Sequence, residues 1–285
     1  GAGASSGFVF ISLRGAEVCL HIQRLIENMD ANLPCRRRPK TDPYYCGVAV
    51  VFDNSVGAAR TERQCGTKLD KVNVVSLGHC QTLVGKDVRA QKMCVRAEGG
   101  MPFGHNLFLD MDTLVLNKEV EQAFQVLRLG FDIASTYECC ARLPGWRLPH
   151  DVTLFSGWEM QTGVLAFANN KRVIAHAKKS VELYRNLVRG RRYTSGEQNA
   201  ETLALSLTDV KYFPLPPSFN MRGYVNSGWY DLPLVLSHKS FDHEKTLKEL
   251  RQTDPAHWWC KNDQNAAEIL KCALEDGLRW RPNRR

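Results

Sequence analysis

The sequence lacks several patterns that would assign it to a particular class of protein. It has no run of about 18 apolar residues that could cross a bilayer. Its opening residues, GAGASSG, lack the charged and apolar regions of a signal peptide. None of its 10 cysteines belongs to a C-x-x-C pair, which argues against a zinc ribbon or a thioredoxin-like motif. It also has no N-x-S/T glycosylation acceptor. These absences favour a reducing, cytoplasmic setting with thiols in the core, and they leave open a targeting segment or anchor that has been removed.

Length and charge narrow the choice of ligand. A chain of 285 residues suffices for one large α/β domain or two small ones. The net charge of +8 suits a polyanion such as a nucleotide diphosphate, a nucleic acid or an acidic surface. The dense basic run CRRRPK, residues 35–40, has no aromatic residues interleaved with it. We therefore interpret it as a solvated loop and predict no nucleic-acid partner.

Short apolar runs alternate with helical patterns along the chain, which predicts an α/β sheet. Predicted strands cover residues 8–13, 48–52, 72–77, 132–136 and 163–167, and another leads into Asp110. Predicted helices cover residues 18–29, 86–97, 120–127, 173–184 and 196–207, the last with Leu207 on its buried face. Three closely spaced prolines predict an irregular turn over residues 212–220. The last forty residues predict one or two helices.

The stretch HNLFLDMDTLVLNKE, residues 105–119, carries the strongest functional pattern. An apolar strand runs directly into Asp110 and Asp112, which share a face because side chains alternate along extended backbone. At the carboxyl end of a strand in an open α/β sheet, that face opens into the ligand crevice. Two carboxylates there are costly to desolvate without a positive charge, and they suit Mg²⁺ or Mn²⁺ bridging to phosphate oxygens. The pattern predicts a divalent metal site.

Several segments resemble those of a known enzyme class. LFLDMDTLV is similar to the metal-binding D-x-D strand of GT-A nucleotide-sugar glycosyltransferases. Four later segments resemble, in order, motifs of glycosyltransferase family 8 and its relatives. They are EMQTGVLAF (159–167), like the N-[ST/A]-G-[V/L]-L-x-F strand; SGEQNAETLAL (195–205), like the D-Q-x-x-L helix; LPPSFN (215–220), like the L-P-x-x-[WF]-N turn; and LVLSHKS (234–240), like the strand that carries the metal-binding histidine. Gln161 stands where Asn is usual, and Glu197 where Asp is usual.

The resemblance implies a role for each matching residue. The implied metal ligands are Asp110, Asp112 and His238, whose nitrogen favours Mn²⁺ over Mg²⁺. Glu197 and Gln198 are expected to face the anomeric carbon, in a retaining or an inverting mechanism. Candidates for binding the nucleotide and its diphosphate are Ser12, Leu13, Arg14, Asp53, Arg89, Lys92 and Lys239. Candidates for binding the sugar substrates are Gln161, Thr162, Gly163 and Asn220.

The resemblance also implies the fold and the activity. We expect an α/β GT-A fold, Rossmann-like, with a mixed central sheet flanked by helices. Residues 1–7 are expected to be a flexible tail or a cloning remnant, and 8–285 one catalytic domain with a nucleotide-binding half (8–112) and an acceptor-binding half (113–285). The implied activity is metal-dependent hexosyl or pentosyl transfer from a nucleotide sugar, UDP-linked, to a glycan or glycoprotein.

Two other interpretations remain open from the sequence. One is a haloacid-dehalogenase-like Mg²⁺ phosphatase, although DMDTLV lacks the glycine of that family's D-x-D-G-T motif. The other is a non-catalytic module that binds nucleotide sugars or glycans. Donor binding without turnover over a panel of acceptors would indicate the second.

Overall fold

The computed structural model describes residues 5–12, 18–52, 69–75, 80, 83–84, 88–110, 113–115, 117–138, 159–189, 196–220 and 236–237. Within these residues, no helix is both long enough and apolar enough to cross a membrane. The helices predicted for the last forty residues lie outside the described part of the chain.

Seven strands form one mixed sheet in the order β3-β2-β1-β4-β7-β6-β8. They are β1 (Ser6–Ser12), β2 (Cys46–Phe52), β3 (Lys71–Val74), β4 (His105–Leu109), β6 (Ile133–Glu138), β7 (Glu159–Ala168) and β8 (Tyr212–Pro214). The strands β1 to β4 are parallel, and β7 is antiparallel to both β4 and β6. The carboxyl ends of β1 to β4 therefore lie at one edge of the sheet. A separate two-stranded ladder pairs β5 (Leu114–Val115) with β9 (Leu236–Ser237).

Helices cover both faces of the sheet. They are α1 (Val18–Asn32), α2 (Val88–Ala97), α3 (Gln122–Arg128), α4 (Lys171–Arg189) and α5 (Gly196–Ser206). Short 3-10 helices occupy Pro34–Arg37, Lys118–Glu121 and Pro217–Asn220. The side chains of α1 and α3 pack with Phe8 and Phe10 of β1, whereas those of α2, α4 and α5 pack in a second core with Val9. This alternation along β1 explains why the strand is apolar throughout: both of its faces are buried.

The first strand begins two residues before the predicted domain boundary, so the predicted tail of residues 1–7 is wrong at its end. Ser6 is fully buried, and it pairs with Cys46 on β2 and with His105 on β4. A Cβ atom added at Gly7 would lie 2.3 Å from the ring of Phe103. Glycine is required there because the aromatic ring packs directly against the backbone.

The proline-rich segment is more regular than predicted. Tyr212–Pro214 form β8, which pairs in parallel with β6, and Leu215 N donates to Ser135 O at 2.9 Å. Pro214 is tolerated because β8 is the edge strand of the sheet, where a missing N–H leaves no ladder partner unsatisfied. The predicted burial of Leu207 is also wrong, since helix α5 ends at Ser206 and Leu207 is 57% exposed.

Four cysteines depart from the prediction of reduced core thiols. The structure contains the disulfides Cys35–Cys46 and Cys80–Cys94. The first connects the Pro34–Arg37 turn to the start of β2, and the second connects Cys80 to helix α2. The spacing of these cysteines along the chain does not reveal such pairs, because the fold brings them together.

Basic residues of the run 35–40 bond to groups of the protein, although Arg37, Arg38 and Lys40 are exposed. The guanidinium group of Arg36 donates to Asp30 at 2.8 Å and to Asp70 at 2.9 Å, and its side chain is only 7% exposed. Arg37 donates to two carbonyl oxygens at the end of α1, and Lys40 pairs with Asp70 at 2.6 Å. The interpretation of this run as a wholly solvated loop is therefore wrong for Arg36.

Candidate functional site

Asp110 follows the last residue of β4, at the edge where the parallel strands end. Its backbone N–H donates to Gly163 O on β7 at 2.9 Å, and its carbonyl accepts from Thr113 N at 3.0 Å. Thr113 directly precedes Leu114, which pairs with Ser237 in the β5–β9 ladder. The structure thus places the first aspartate of the D-x-D pattern directly after β4, at the edge of the sheet where the sequence predicts a crevice.

A lysine from α2 meets this carboxylate. Lys92 Nζ forms an ion pair and hydrogen bond with Asp110 Oδ1, and the ammonium group lies 4.8 Å from the centre of the Phe108 ring. The side chains of Lys92 and Asp110 are 17% and 25% exposed. Their attraction is consequently less screened by water than that of a surface pair. The sequence predicts Lys92 as a ligand of the diphosphate, and the structure shows that it also neutralises a predicted metal ligand.

Strand β7 brings three predicted substrate-binding residues beside Asp110. Val164 pairs with Leu109, so Gly163 lies beside Asp110. Thr162 and Gln161 precede Gly163 on the same strand. Gln161 is 2% exposed, and neither its amide oxygen nor its amide nitrogen has a hydrogen-bond partner among the described residues. Such buried amide groups are costly to leave unpaired, so their occurrence marks a position where a ligand group could satisfy them.

Helix α5 presents the two predicted reaction-centre residues at its start. Glu197 is buried and Gln198 is half-buried in its first turn. Thr202, one turn later, donates to Gln198 O at 2.7 Å and accepts from Met160 N on β7 at 2.9 Å. One hydroxyl therefore joins the start of α5 to the residue that precedes Gln161. The structure brings Glu197, Gln198 and the substrate-binding segment of β7 to the same part of the sheet.

A buried polar cluster connects α5 to α2 and α4. Arg96 on α2 forms an ion pair with Glu201 on α5, and both side chains are almost completely buried. His176 Nε2 on α4 contacts Glu201 O at 3.1 Å. Burial lowers the pKa of His176 to about 4, so the imidazole is neutral at neutral pH. Because an unpaired buried charge is strongly destabilising, the Arg96–Glu201 pair fixes α5 relative to α2.

The remaining predicted residues fall into two groups. Asn220 is 2% exposed and ends the Pro217–Asn220 3-10 helix, which packs against β6, β7 and β9. Ser12 ends β1 at the crevice edge, and Arg89 lies in the first turn of α2. The predicted residues that lie outside the described part of the chain are Leu13, Arg14, Asp53, Asp112, His238 and Lys239. The described residues contain no cluster of three His, Cys, Asp or Glu side chains suited to a metal, and they include only one member of the predicted triad.

The structure adds two polar residues that the sequence motifs do not single out. Thr113, directly after the D-x-D pattern, is fully buried and its hydroxyl has no hydrogen-bond partner among the described residues. Asn199, directly after Gln198, is 5% exposed, and its amide nitrogen is likewise unpaired within the described part. Adjacency to two functional motifs is the sequence signal that could have identified them.

Comparisons with known proteins bear on this arrangement. The sequence matches no protein-family model, and a search of curated proteins finds no match. Among solved structures, the galactosyltransferase LgtC in complex with donor and acceptor sugar analogues has a TM-score of 0.55 at 15% identity, over 97% of this chain and 98% of LgtC. Mouse xyloside xylosyltransferase 1 in its apo form has a TM-score of 0.51 at 12% identity, over 82% of this chain and 97% of the mouse protein. This chain has the GT-A glycosyltransferase fold.

A third GT-A structure differs in length. The glycosyltransferase GlyE of Streptococcus pneumoniae TIGR4 has a TM-score of 0.51 at 14% identity, and the match covers 99% of this chain. It covers 66% of GlyE, so this chain spans about two thirds of that protein. In the GT-A fold, the mixed sheet with β7 antiparallel to β4 is the expected scaffold, which confirms the predicted fold class.

Proposed function

We propose that this protein transfers a sugar, hexosyl or pentosyl, from a UDP-linked donor to a glycan or glycoprotein acceptor, with a divalent metal at the donor diphosphate. The observation that carries the proposal is the position of Asp110 in a GT-A fold. It lies at the carboxyl edge of β4, beside Gly163 of β7 and opposite the ammonium group of Lys92. The LgtC structure with donor and acceptor sugar analogues supports the same class of reaction for this fold.

Asp110 is the described residue that could contribute to a cation site at this point. The carboxylate of Asp110 supplies a hard oxygen, and it already faces the positive charge of Lys92. The β5–β9 ladder pairs Leu114 with Ser237, so the chain positions adjoining Thr113 and those following Ser237 leave the ladder at the same end. We propose that Asp112 and His238, which directly adjoin these described positions in the sequence, complete the ligand set with Asp110. When bound, Mn²⁺ or Mg²⁺ would stabilise the charge that develops on the leaving diphosphate.

The protein side chains have separate tasks in this proposal. Lys92 provides a cation for the diphosphate, next to Asp110. Gln161 provides a buried amide whose oxygen and nitrogen, without partners among the described residues, can hydrogen-bond to sugar hydroxyl groups. Glu197 and Gln198 face the reacting end of the donor sugar, and the hydroxyl of Thr202 holds the backbone carbonyl of Gln198. A solved structure of LgtC carries an active-site substitution of a glutamine. Because α5 resembles the D-Q-x-x-L helix, we assign the place of an active-site glutamine in this chain to Gln198.

Two predicted alternatives are less well supported. The GT-A fold disfavours a haloacid-dehalogenase-like phosphatase, because the solved structures that resemble this chain are glycosyltransferases. A non-catalytic binding module would share the fold and the donor site. It would differ in having no turnover with any acceptor.

The proposal is tested first by binding. Isothermal titration of UDP should give a dissociation constant at least about tenfold lower with Mn²⁺ than with excess chelator, because the metal bridges the diphosphate to Asp110. Asp110→Asn should lose most of this metal dependence, while the matched control Glu182→Gln, an exposed carboxylate on α4, should keep it. Equal UDP affinity in chelator would refute the metal site. Tighter binding of GDP, CDP or ADP than of UDP would refute the choice of nucleotide.

The second test is transfer itself. With Mn²⁺, UDP-sugars and a panel of oligosaccharide and glycopeptide acceptors, mass spectrometry should detect an acceptor enlarged by one sugar. Release of inorganic phosphate from phosphorylated sugars would indicate a phosphatase instead. Metal-dependent UDP binding without any enlarged product over the panel would indicate the non-catalytic module.

A further inference from the structure

A second cavity lies at the opposite edge of the sheet from Asp110. Its volume is about 520 Å³, and Cys46 and Phe124 contribute buried side chains to its lining. Arg128, which also lines it, donates to Ser6 Oγ at 3.0 Å, and Ser6 is the first residue of β1. The cavity therefore adjoins the amino ends of the parallel strands. Since β4 runs for five residues before Asp110, the two places are separated by roughly 17 Å of extended strand.

Two guanidinium groups bring positive charge to this cavity, beside the carboxylate of Glu121, which also lines it. The Arg38 and Arg128 carbons Cζ lie 5.5 Å and 5.1 Å from the centre of the Tyr44 ring. Arg38 has one hydrogen bond to a described side chain, to Asp42 at 3.3 Å, and Arg128 has one, to Ser6. Each guanidinium carries five N–H donors, so most of them remain available to a ligand. Burial and the charge of Arg128 lower the pKa of His105 at the start of β4, which is consistent with a positive potential at this edge.

The other walls suit a sugar more than a bare anion. The ring of Tyr44 and the side chain of Leu129 line the cavity and are 54% and 79% exposed, so they offer apolar surface to the C–H face of a sugar ring. Gln125 and Glu121 add groups that can hydrogen-bond to hydroxyls. Glu121 is positioned by the hydrogen bond from Cys35 N to its Oε1 at 2.9 Å. A cavity of this size with both apolar and polar walls exceeds what a simple inorganic anion would fill.

We propose that this cavity is a second binding site, for an acidic saccharide unit that carries a carboxylate or a sulfate group. Arg38 and Arg128 hold the anionic group, Tyr44 and Leu129 contact the apolar ring face, and Gln125 hydrogen-bonds to a hydroxyl. Bidentate pairing with carboxylate or sulfate oxygens is the geometry that arginine provides best. A nucleic acid is disfavoured, because the neighbouring Arg36 and Arg37 donate hydrogen bonds to groups of the protein itself. The site is distinct from the transfer site, and its test requires no transfer.

The binding test uses three tetrasaccharides in chelator and without nucleotide. They are a hyaluronan tetrasaccharide with carboxylates, a chondroitin 4-sulfate tetrasaccharide with both groups, and a neutral N-acetylglucosamine tetramer. We expect the two acidic probes to bind with one-to-one stoichiometry and at least about tenfold more tightly than the neutral probe. Raising the sodium chloride concentration from 50 to about 300 mM should weaken the acidic probes alone, because salt screens the guanidinium charges. Equal affinity for all three probes, or tighter binding of an oligoglutamate peptide, would overturn the proposal.

Variants locate the site. Arg38→Gln with Arg128→Gln should weaken the acidic probes by at least about tenfold and leave UDP binding with Mn²⁺ unchanged. The matched control is Arg37→Gln, which removes one charge from the same basic run but lies outside the cavity lining. Since Arg128 also contacts Ser6, the single variant Arg38→Gln serves if the double variant unfolds, and it should weaken binding by at least about threefold. An equal loss in Arg37→Gln would show non-specific charge attraction and overturn the assignment. If acidic saccharides bind but UDP does not, the proposed sugar transfer is contradicted and the proposed saccharide site is not.

Discussion

The ion pair between Lys92 and Asp110 leads to a prediction that can be measured without any enzyme assay. If Asp110 binds the metal, the ammonium group of Lys92 competes with the metal for the same carboxylate. Lys92→Met removes the charge but keeps an unbranched apolar side chain that can still cover the Phe108 ring. We therefore expect the variant to bind Mn²⁺ more tightly than the wild type when no nucleotide is present.

The geometry sets the size of this effect. Two unit charges about 4 Å apart attract by about 4 kcal/mol at an effective dielectric constant of about 20. The side chains of Lys92 and Asp110 are only 17% and 25% exposed. Part of the attraction is therefore offset by the hydration energy that the two charges lose on burial. We take the net competition as about 1–2 kcal/mol, which corresponds to an affinity for Mn²⁺ that is roughly 5- to 30-fold higher in the variant. The opposite change is expected for UDP in saturating Mn²⁺, because the diphosphate loses a cation.

Electron paramagnetic resonance of free Mn²⁺ gives the first constant, and calorimetry with UDP gives the second. The control is Lys179→Met, which removes a lysine from the exposed pair with Glu182 on α4 and should change neither constant. An unchanged or weaker affinity for Mn²⁺ in a folded Lys92→Met protein would show that Asp110 is not a metal ligand. Tighter Mn²⁺ binding with unchanged UDP binding would retain the metal site and remove Lys92 from the diphosphate site.

Three further outcomes follow from other parts of the structure. If Glu197 is a general base, Glu197→Gln should lower the transfer rate by roughly 10²–10⁴-fold and leave the donor affinity unchanged. A joint loss of rate and donor affinity, both in Glu197→Gln and in Gln198→Ala, would instead indicate that the two residues contact the sugar. NMR of the product gives the anomeric configuration. The pKa of His176 falls from 6.5 to about 4 on folding, so the folded state binds fewer protons and the free energy of unfolding should decrease by up to about 3 kcal/mol as the pH falls from about 6.5 to about 4. Urea titrations at several pH values should show a smaller decrease in His176→Gln than in the wild type. Carboxylates whose pKa is lowered, such as Asp132, change the free energy of unfolding below their ordinary pKa of 3.8. An equal decrease in the variant and the wild type would therefore contradict the assignment to His176. Alkylation under denaturing conditions, with and without reductant, should show by mass spectrometry that Cys35, Cys46, Cys80 and Cys94 are protected, whereas alkylation of all four without reductant would support the predicted cytoplasmic, reduced state instead.

The sequence predicted the central strands well because burial there leaves a simple pattern. Strand β2 is apolar along its length, since it lies between β1 and β3 and both of its faces are covered. The helices α1 and α4 were predicted equally well from apolar residues at helical spacing, because each packs one face on the sheet. Such patterns depend on local sequence and on burial, and neither requires knowledge of which strands are neighbours.

Features that depend on a distant partner were not predictable in this way. Strand β8 forms because Tyr212–Pro214 pair with β6 at the edge of the sheet. The local sequence does not predict a strand there, because its three prolines indicate an irregular segment. The Cys35–Cys46 disulfide requires the turn after α1 to meet the start of β2. The ion pair of Lys92 with Asp110 requires α2 to pack with its Lys92 face toward the end of β4. Each of these contacts is a product of the topology.

The candidate site shows the same division. The order of the motifs placed Asp110, Gln161 and Glu197 in one site, and the described residues bring all three positions around β7. The sequence could not show that the amide of Gln161 is buried and has no partner within the described part of the chain, or that Glu201 holds α5 through Arg96. Those facts depend on side-chain packing between elements that are far apart in the chain.

The register of β7 connects these observations. The predicted boundary at residues 112 and 113 would separate a nucleotide-binding half from an acceptor-binding half, yet β4 from the first half pairs directly with β7 from the second. The hydrogen bond from Asp110 N to Gly163 O fixes this register at the predicted metal ligand, and the bond from Met160 N to Thr202 fixes it again at the start of α5. A shift of one residue along β7 would turn every side chain to the other face of the sheet and would remove Gln161 from its present position. Strand β7 therefore holds the proposed site residues on β4 and on β7 in one register, across the predicted boundary between the two halves.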